Sequence, residues 1–277
     1  FFVESDMSKK ARPPIPQLNG KIIETHCHLD YLSRAELEST MDKSRAVGVD
    51  RVITIAVSRD NQQVVHEIAS QYDDVWCTQG LHPHEAETWD AEFNHELRQR
   101  ACDKKVVAVG EIGLDYYYEH SDPKTQIAAF EGQLDVAIET QKPVVIHTRE
   151  AESDTKAVLG NAAKNLTTKG VIHSFTSSAD LAEFCLAEGF YLGFNGIATF
   201  KNADNVREVI RKTPMDRILL ETDAPYLTPV PYRGVPNAPF YLPFIAETIA
   251  DLKEVSTDEL LATVHKNSLD CFFPDQS

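Results

Sequence analysis

A single closed (β/α)8 TIM barrel is the α/β fold class that this sequence predicts, and three observations predict it. Short β-branched runs alternate with amphipathic helical stretches eight times from Lys21 onward, with no long linker between them. Strict alternation implies parallel strands joined by right-handed crossovers, and eight units in about 230 residues suffice to close the sheet on itself. The competing architecture, an open doubly wound sheet, favours a Gly-x-Gly-x-x-Gly loop after the first strand, and none is present.

Taken in order, the strand candidates are Lys21–His28, Arg51–Val57, Val75–His82, Val106–Leu114, Pro143–Thr148, Gly170–Phe175, Tyr191–Ile197 and Arg217–Asp223. Between them lie helices expected over Arg34–Val47, Asn61–Tyr72, Ala91–Cys102, Lys124–Gln141, Ser153–Ala163, Ala179–Glu188 and Ala203–Lys212. Gly48 and Gly189 stand where the first and sixth helices should stop. Leu242–Leu252 and Thr257–Cys271 read as two closing helices. With no internal repeat and no low-complexity segment, residues 21–275 read as one domain. Residues 1–20 read as a flexible leader, without the basic-then-apolar order of a secretory signal, and residues 1–6 could precede the native start at Met7.

Composition narrows the function classes. Of the 277 residues 42% are hydrophobic, as in soluble globular chains, and no apolar run approaches the roughly 18 residues of a membrane span. A formal charge of −16, from 27 basic against 43 acidic residues, excludes a general cationic surface for gripping duplex backbone. Any nucleic acid must be attracted locally. The five cysteines are odd in number and lack Cys-x-x-Cys spacing, which argues for reduced thiols of a cytoplasmic protein and against a disulfide framework or a thiolate zinc site.

Catalytic groups of such barrels gather at the C-terminal strand ends. In Ile22-Ile23-Glu24-Thr25-His26-Cys27-His28 the two histidines are two residues apart and share a strand face. The fourth strand end delivers Glu111, the fifth His147, the sixth His173 and the eighth Asp223. Each alone reads more readily as a hydrogen-bonded loop residue than as a ligand; four histidines and two carboxylates on one rim do not. Imidazole with carboxylate, and no thiolate, suits divalent zinc, manganese, iron or magnesium, and six groups exceed the needs of one tetrahedral ion. Two divalent ions bridged by Glu111, with a water or hydroxide between them as nucleophile, are the expectation. Two such ions contribute +4 against −2 from Glu111 and Asp223, leaving a local pocket that favours an anion such as phosphate.

These residues lie in ordered motifs that resemble the TatD family of metal-dependent deoxyribonucleases, within the amidohydrolase-like barrels. The motifs are Thr25-His26-Cys27-His28-Leu29-Asp30, Gly80-Leu81-His82-Pro83, Gly110-Glu111-Ile112-Gly113-Leu114-Asp115-Tyr116, Val145-Ile146-His147-Thr148-Arg149, Ile172-His173-Ser174-Phe175 and Glu221-Thr222-Asp223-Ala224-Pro225-Tyr226-Leu227. The resemblance implies that His26, His28, Glu111 and Asp223 hold one metal, and Glu111, His147 and His173 the other. It implies that Asp223 accepts a proton from the attacking water and that His82 reaches the substrate. It further implies a 3′-to-5′ exonuclease acting on single-stranded or damaged DNA. The donor types suit magnesium, manganese or zinc, the lack of a long apolar run leaves no membrane partner, and the oligomeric state is open, with a monomer compatible. One departure stands in Pro231–Pro239, where Val235 and Ala238 replace residues that are often charged or polar, which bears on phosphate grip.

Around this set, Arg149 could clamp a phosphate through its fork of donors, and Tyr116, Tyr117 and Tyr118 could stack on an unpaired base. Arg233 and Lys201 lie in rim loops and could steer the strand. Each has an ordinary structural alternative in ion pairing, packing or solvation. His84 is expected to be exposed and idle, and His66, His95, His120 and His265 to lie away from the rim. A metal-dependent amidohydrolase acting on an amide, ester or lactone is the alternative enzyme, and a non-catalytic metal-binding protein the third reading.

Overall fold

Eight strands pair in sequence order, each parallel to the next: β1 (Ile22–Cys27), β2 (Val49–Thr54), β3 (Val75–Gln79), β4 (Val106–Asp115), β5 (Val144–Arg149), β6 (Gly170–Ile172), β7 (Tyr191–Phe194) and β8 (Ile218–Leu220). The structure is a computed structural model and describes residues 11–118 and 120–276. The sheet meets itself where the chain leaves β8. There the Asp223 N–H donates to the His26 carbonyl at 2.8 Å and the His28 N–H to the Ala224 carbonyl at 2.9 Å. The barrel that the sequence predicts is the fold observed.

Helices α1 (Arg34–Ala46), α2 (Gln62–Gln71), α3 (Ala91–Arg100), α4 (Pro123–Thr140), α5 (Glu152–Ala162), α6 (Ala179–Ala187) and α7 (Asp204–Lys212) connect the strands. Two more, α8 (Leu242–Lys253) and α9 (Thr257–Phe272), follow β8. Their starts are chemically marked. Ser33 accepts from the Glu36 N–H while Glu36 accepts from the Ser33 N–H, and Asp90, Asp122, Ser178 and Ser256 cap α3, α4, α6 and α9 in the same sense. Gly48 and Gly189, with φ of 98° and 92°, occupy the left-handed region at the stops expected for them.

Alternation along the strands sorts the core into two layers. Ile146, Ile172 and Leu220 face outward into the large cluster shared with the helices, while Val145, Val171 and Leu219 join Ile53, Ile55 and Val107 inside the barrel. Phe272 and Phe273 at the end of α9 pack against this inner layer. Two residues beyond Val145 and Val171 on the same face come His147 and His173, so the interior is apolar below and polar at the mouth.

Strand ends depart from expectation in a regular way. β2, β3, β6, β7 and β8 each stop three residues sooner than the hydrophobic runs suggest. The chain leaves the ladder to turn its polar groups over the mouth; Ser174 and Asp223 do so in the left-handed region, at φ of 45° and 59°. For a residue with a Cβ that region costs roughly 1–2 kcal/mol, and the Asp223 bond to the His26 carbonyl helps hold it.

The part of the leader at residues 1–10 lies outside the described residues. Beyond it, the Arg12 guanidinium donates to the Arg233 carbonyl, the Tyr232 hydroxyl donates to the Pro13 carbonyl, and Ile15 and Leu18 pack against the core. Among the described residues no helix is long and apolar enough to cross a membrane.

Candidate active site

The mouth of the barrel brings all six predicted residues together around one carboxylate. Glu111, on β4, presents its two oxygens to different partners. Oε2 lies 3.4 Å from His26 Nε2, whereas Oε1 lies 2.8 Å from His173 Nε2 and 3.2 Å from His147 Nδ1. Asp223 closes the first side, with Oδ1 at 3.4 Å from His26 Nε2 and 3.2 Å from His28 Nε2. His26 and His173 stack with ring centroids 3.8 Å apart. Above them opens a cavity of about 800 Å³, lined by His28, His82, Glu111, His147, His173 and Asp223 together with Tyr31, Tyr118, Arg149 and Tyr226.

The donor set fits divalent cations on an observation within the site. His26 is 1% exposed, and among the described residues neither of its ring nitrogens has a hydrogen-bond partner. A buried polar group left so costs about 1–3 kcal/mol, and its Nε2 faces two carboxylate oxygens, the surroundings a cation would complete. Among the described residues, sets of three ligand atoms close enough to share an ion include His26 with His28 and Glu111, and His82 with Glu111 and His147. A third, His26 with His173 and Glu221, is better read as support for His173. Both Glu221 oxygens are already engaged, Oε1 by the Ser174 N–H at 2.7 Å and Oε2 by His173 Nδ1 at 3.1 Å.

Protonation follows the same geometry. Burial pushes the Glu111 carboxyl up, but the imidazoles of His173 and His26 outweigh it and hold it well below the usual range. Burial opposes ionisation of Asp223 too, and the adjacent imidazoles of His26 and His28 bring it down. Burial and the neighbouring His173 lower His26, yet Glu111 and Asp223 win and raise it to about 9. Without cations, ionised Glu111 and Asp223 are thus balanced by protons on His26 and His173, which a bound cation would displace.

A supporting layer surrounds these groups. Asp115, at the end of β4, accepts from His147 Nε2 at 2.8 Å and from the backbone N–H groups of Tyr117 and Tyr118. Glu24 lies fully buried beside His26, where its carboxyl group meets the N–H groups of His26 and Thr222 and the Thr222 hydroxyl. Sequence reasoning missed Asp115, Glu221 and Glu24 as site groups; for Glu24 alone period two was an available signal, since it precedes His26 by two residues within β1.

Other predicted residues divide. His82 lines the cavity and its Nδ1 accepts the His84 N–H at 3.1 Å, which leaves the ring proton on Nε2, 3.7 Å from Glu111. Burial, then His147, holds His82 well below its ordinary value, so it is neutral. Arg149 lines the cavity and lies over the rings of Tyr117 and Tyr118 at 4.0 and 4.9 Å. Tyr118 joins the lining, whereas Tyr116 turns its hydroxyl to Asp154 at 2.6 Å and packs against the core. Arg233 donates to the Thr228 carbonyl, lies over Phe200, and lines a neighbouring cleft with Lys201. Two expectations are corrected. His84 is not idle, since its Nε2 lies 3.2 Å from Asp115 Oδ2, and His120 is at the rim, its ring 4.4 Å from that of His84. Both errors came from judging loop histidines without knowing where the loops fold back.

Comparison with known proteins gives a concordant picture. The sequence pattern of the family described as TatD related DNase matches residues 23–273. The uncharacterized metal-dependent hydrolase YabD of Bacillus subtilis is 35% identical over 248 residues, covering 89% of this chain and 97% of the relative. A protein of Erwinia tasmaniensis named 3′-5′ ssDNA/RNA exonuclease TatD is 35% identical over 237 residues, covering 83% and 91%. The crystal structure of YjjV, a TatD homologue of Escherichia coli, superposes with a TM-score of 0.84 at 30% identity, covering 91% of this chain and 97% of that one.

Proposed function

This chain belongs to the TatD-related DNase family, and from that premise we propose that it is a divalent-metal-dependent phosphodiesterase, a 3′-to-5′ exonuclease on single-stranded or damaged DNA. The observation that carries the reading is the convergence of His26, His28, Glu111, His147, His173 and Asp223 on one mouth, with the two oxygens of Glu111 serving different histidines. The exonuclease-named relative from Erwinia supports the choice of substrate and polarity. Reduced cysteines fit work in the cytoplasm.

In this reading His26, His28, Glu111 and Asp223 would hold one ion, and Glu111, His147 and His173 the second, drawn from magnesium, manganese or zinc. Bound there, the pair supplies Lewis acidity toward a phosphoryl oxygen and lowers the pKa of water. Asp223, kept ionised by its histidine neighbours, takes the proton from the attacking water. His82, neutral and with Nε2–H directed inward, donates to an oxygen of the scissile phosphate. Glu221 and Asp115 fix the rings of His173 and His147. Arg149 binds a phosphate of the same strand with donors in a planar fork, and Arg233 and Lys201 follow the strand in the adjoining cleft.

Cleavage of 3′- and 5′-labelled single strands with added magnesium or manganese tests the proposal. Mononucleotide release from the 3′ end is expected, abolished by chelation and lowered roughly a thousandfold or more in Glu111→Ala, which removes several kcal/mol of transition-state stabilisation. Full activity in that variant, or turnover of an acyl substrate far above DNA, would overturn it.

A further inference from the structure

The exposed large apolar side chains of the described chain include four tyrosines about the mouth, Tyr31, Tyr117, Tyr118 and Tyr226. Tyr117 and Tyr118 have the Arg149 guanidinium over their rings. Among the described residues, no cation lies over Tyr31 or Tyr226, which are 49% and 51% exposed and line the cavity on the side of His28. Their rings stand nearly perpendicular, at 82° with centroids 6.0 Å apart, and their hydroxyls meet at 3.4 Å. Tyr31 lies almost parallel to His28, at 17° and 5.5 Å, while Tyr226 meets His28 at 69° and 6.2 Å. The two rings form an open corner beside a proposed metal ligand.

The backbone beneath is fixed. The Tyr226 N–H donates to the Asp223 carbonyl at 3.0 Å, and the Tyr226 carbonyl accepts from Asn237 Nδ2 at 2.8 Å. Asn237 Nδ2 also donates to the Thr222 carbonyl, and its own N–H to the Pro225 carbonyl, so one buried side chain ties Tyr226 to the segment that carries Asp223. An exposed ring on an anchored backbone is presented to solvent at little cost in ordering when something binds it.

We propose that Tyr31 and Tyr226 form a stacking corner for the unpaired nucleobase next to the scissile phosphate, so that the enzyme selects single strands by base stacking rather than by charge. The proposal rests on the phosphodiesterase reading of the same site and names the group its substrate must offer. Charge alone is a poor handle here. The chain carries a net −16, and among the described residues lining the cavity Arg149 is the one arginine and there is no lysine. Stacking needs no cation, tolerates every base, and requires that the base be out of a duplex.

Two readouts on the metal-loaded protein test the corner. Single strands bearing either a base or a stable abasic residue at the 3′ terminus are compared for kcat/KM; the base should be favoured roughly 5- to 150-fold, the range of one base–aromatic stack. The preference should fall toward one in Tyr31→Leu and Tyr226→Leu and persist in Tyr226→Phe. A phosphorothioate-blocked strand ending in 2-aminopurine should lose fluorescence on binding the parent protein and Tyr226→Phe, and less so on binding either leucine variant. A role confined to covering His28 would leave the base preference and the quenching unchanged. DNA cut equally well with and without the terminal base, or leucine variants that keep the full preference, would overturn the corner while leaving the phosphodiesterase reading intact. No cleavage of any DNA by the parent protein is a separate result that removes that reading, and the corner with it.

Discussion

Replacing Glu221 with glutamine preserves the shape of a buried side chain and changes where one proton can reside. The carboxylate accepts twice, from the Ser174 N–H and from His173 Nδ1, at 1% exposure. An amide has one accepting atom and one donating atom. With its oxygen toward Ser174 N, the amide nitrogen faces His173 Nδ1, which must then accept, and the ring proton moves to Nε2. That is the nitrogen 2.8 Å from Glu111, and a protonated imidazole nitrogen cannot bind a cation. The opposite orientation sets two donors against each other at the Ser174 N–H, 2.7 Å from the side-chain oxygen that the amide nitrogen replaces. Loss of such a supporting partner typically lowers metal affinity 10- to 100-fold, about 1.4–2.8 kcal/mol. Competition for manganese against a chromophoric chelator measures it, with the melting of chelated protein as the control for folding. Parent-like affinity in a well-folded Glu221→Gln protein would refute the assignment of Glu221 as the group that sets the His173 tautomer.

Three further outcomes follow from the same geometry. Because His26 is raised to about 9, cations must displace protons below that pH; metal binding should release protons, and affinity should rise up to about tenfold per pH unit for each proton displaced as pH increases toward 9. Calorimetry in buffers of different ionisation enthalpy reads the release, and pH-independent affinity would contradict it. Glu24, raised by burial from 4.5 to about 8 despite its bonds from Thr222 and His26, makes stability pH-dependent. Between those values the unfolded carboxyl is ionised and the folded one is not, so stability of the chelated protein should fall by at most about 1.4 kcal/mol per pH unit as pH rises, then level off. Urea titrations at pH 5 and 8 should show that Glu24→Gln flattens this slope; an unchanged slope places its cause elsewhere. In Gly193→Ala the added Cβ meets Glu221 Oε1 and comes within 3.3 Å of His173 Cα; a stability loss of about 1–3 kcal/mol with weakened metal binding is expected, and a variant that melts and binds like the parent would contradict the crowding.

What the sequence makes legible is set by periodicity. Helices amphipathic over several turns give bounds that the structure shifts by no more than two residues, as in Ala91–Arg100 against an expected Ala91–Cys102. Strand ends are read less well. Hydrophobic residues such as Phe175 and Ile197 continue the pattern after the ladder has stopped, because they pack under the loops around the mouth. The six metal-site candidates were legible because the barrel sends equivalent strand ends to one place. Asp115 and Glu221 were not, since their place in the site depends on partners that other strands bring, His147 for Asp115 and the Ser174 N–H for Glu221. The stacking tyrosines show the same limit. Tyr116 and Tyr118 differ by two residues, yet one reaches Asp154 and the other the cavity, a choice made by the turn that the Asp115 carboxylate holds through the N–H groups of Tyr117 and Tyr118.

Anomalous diffraction from manganese-loaded crystals tests the central claim most directly. Two peaks should flank the Glu111 carboxylate, one on the side of His26, His28 and Asp223 and the other on the side of His147 and His173. A single peak, or peaks away from Glu111, would contradict the account of a paired-cation centre.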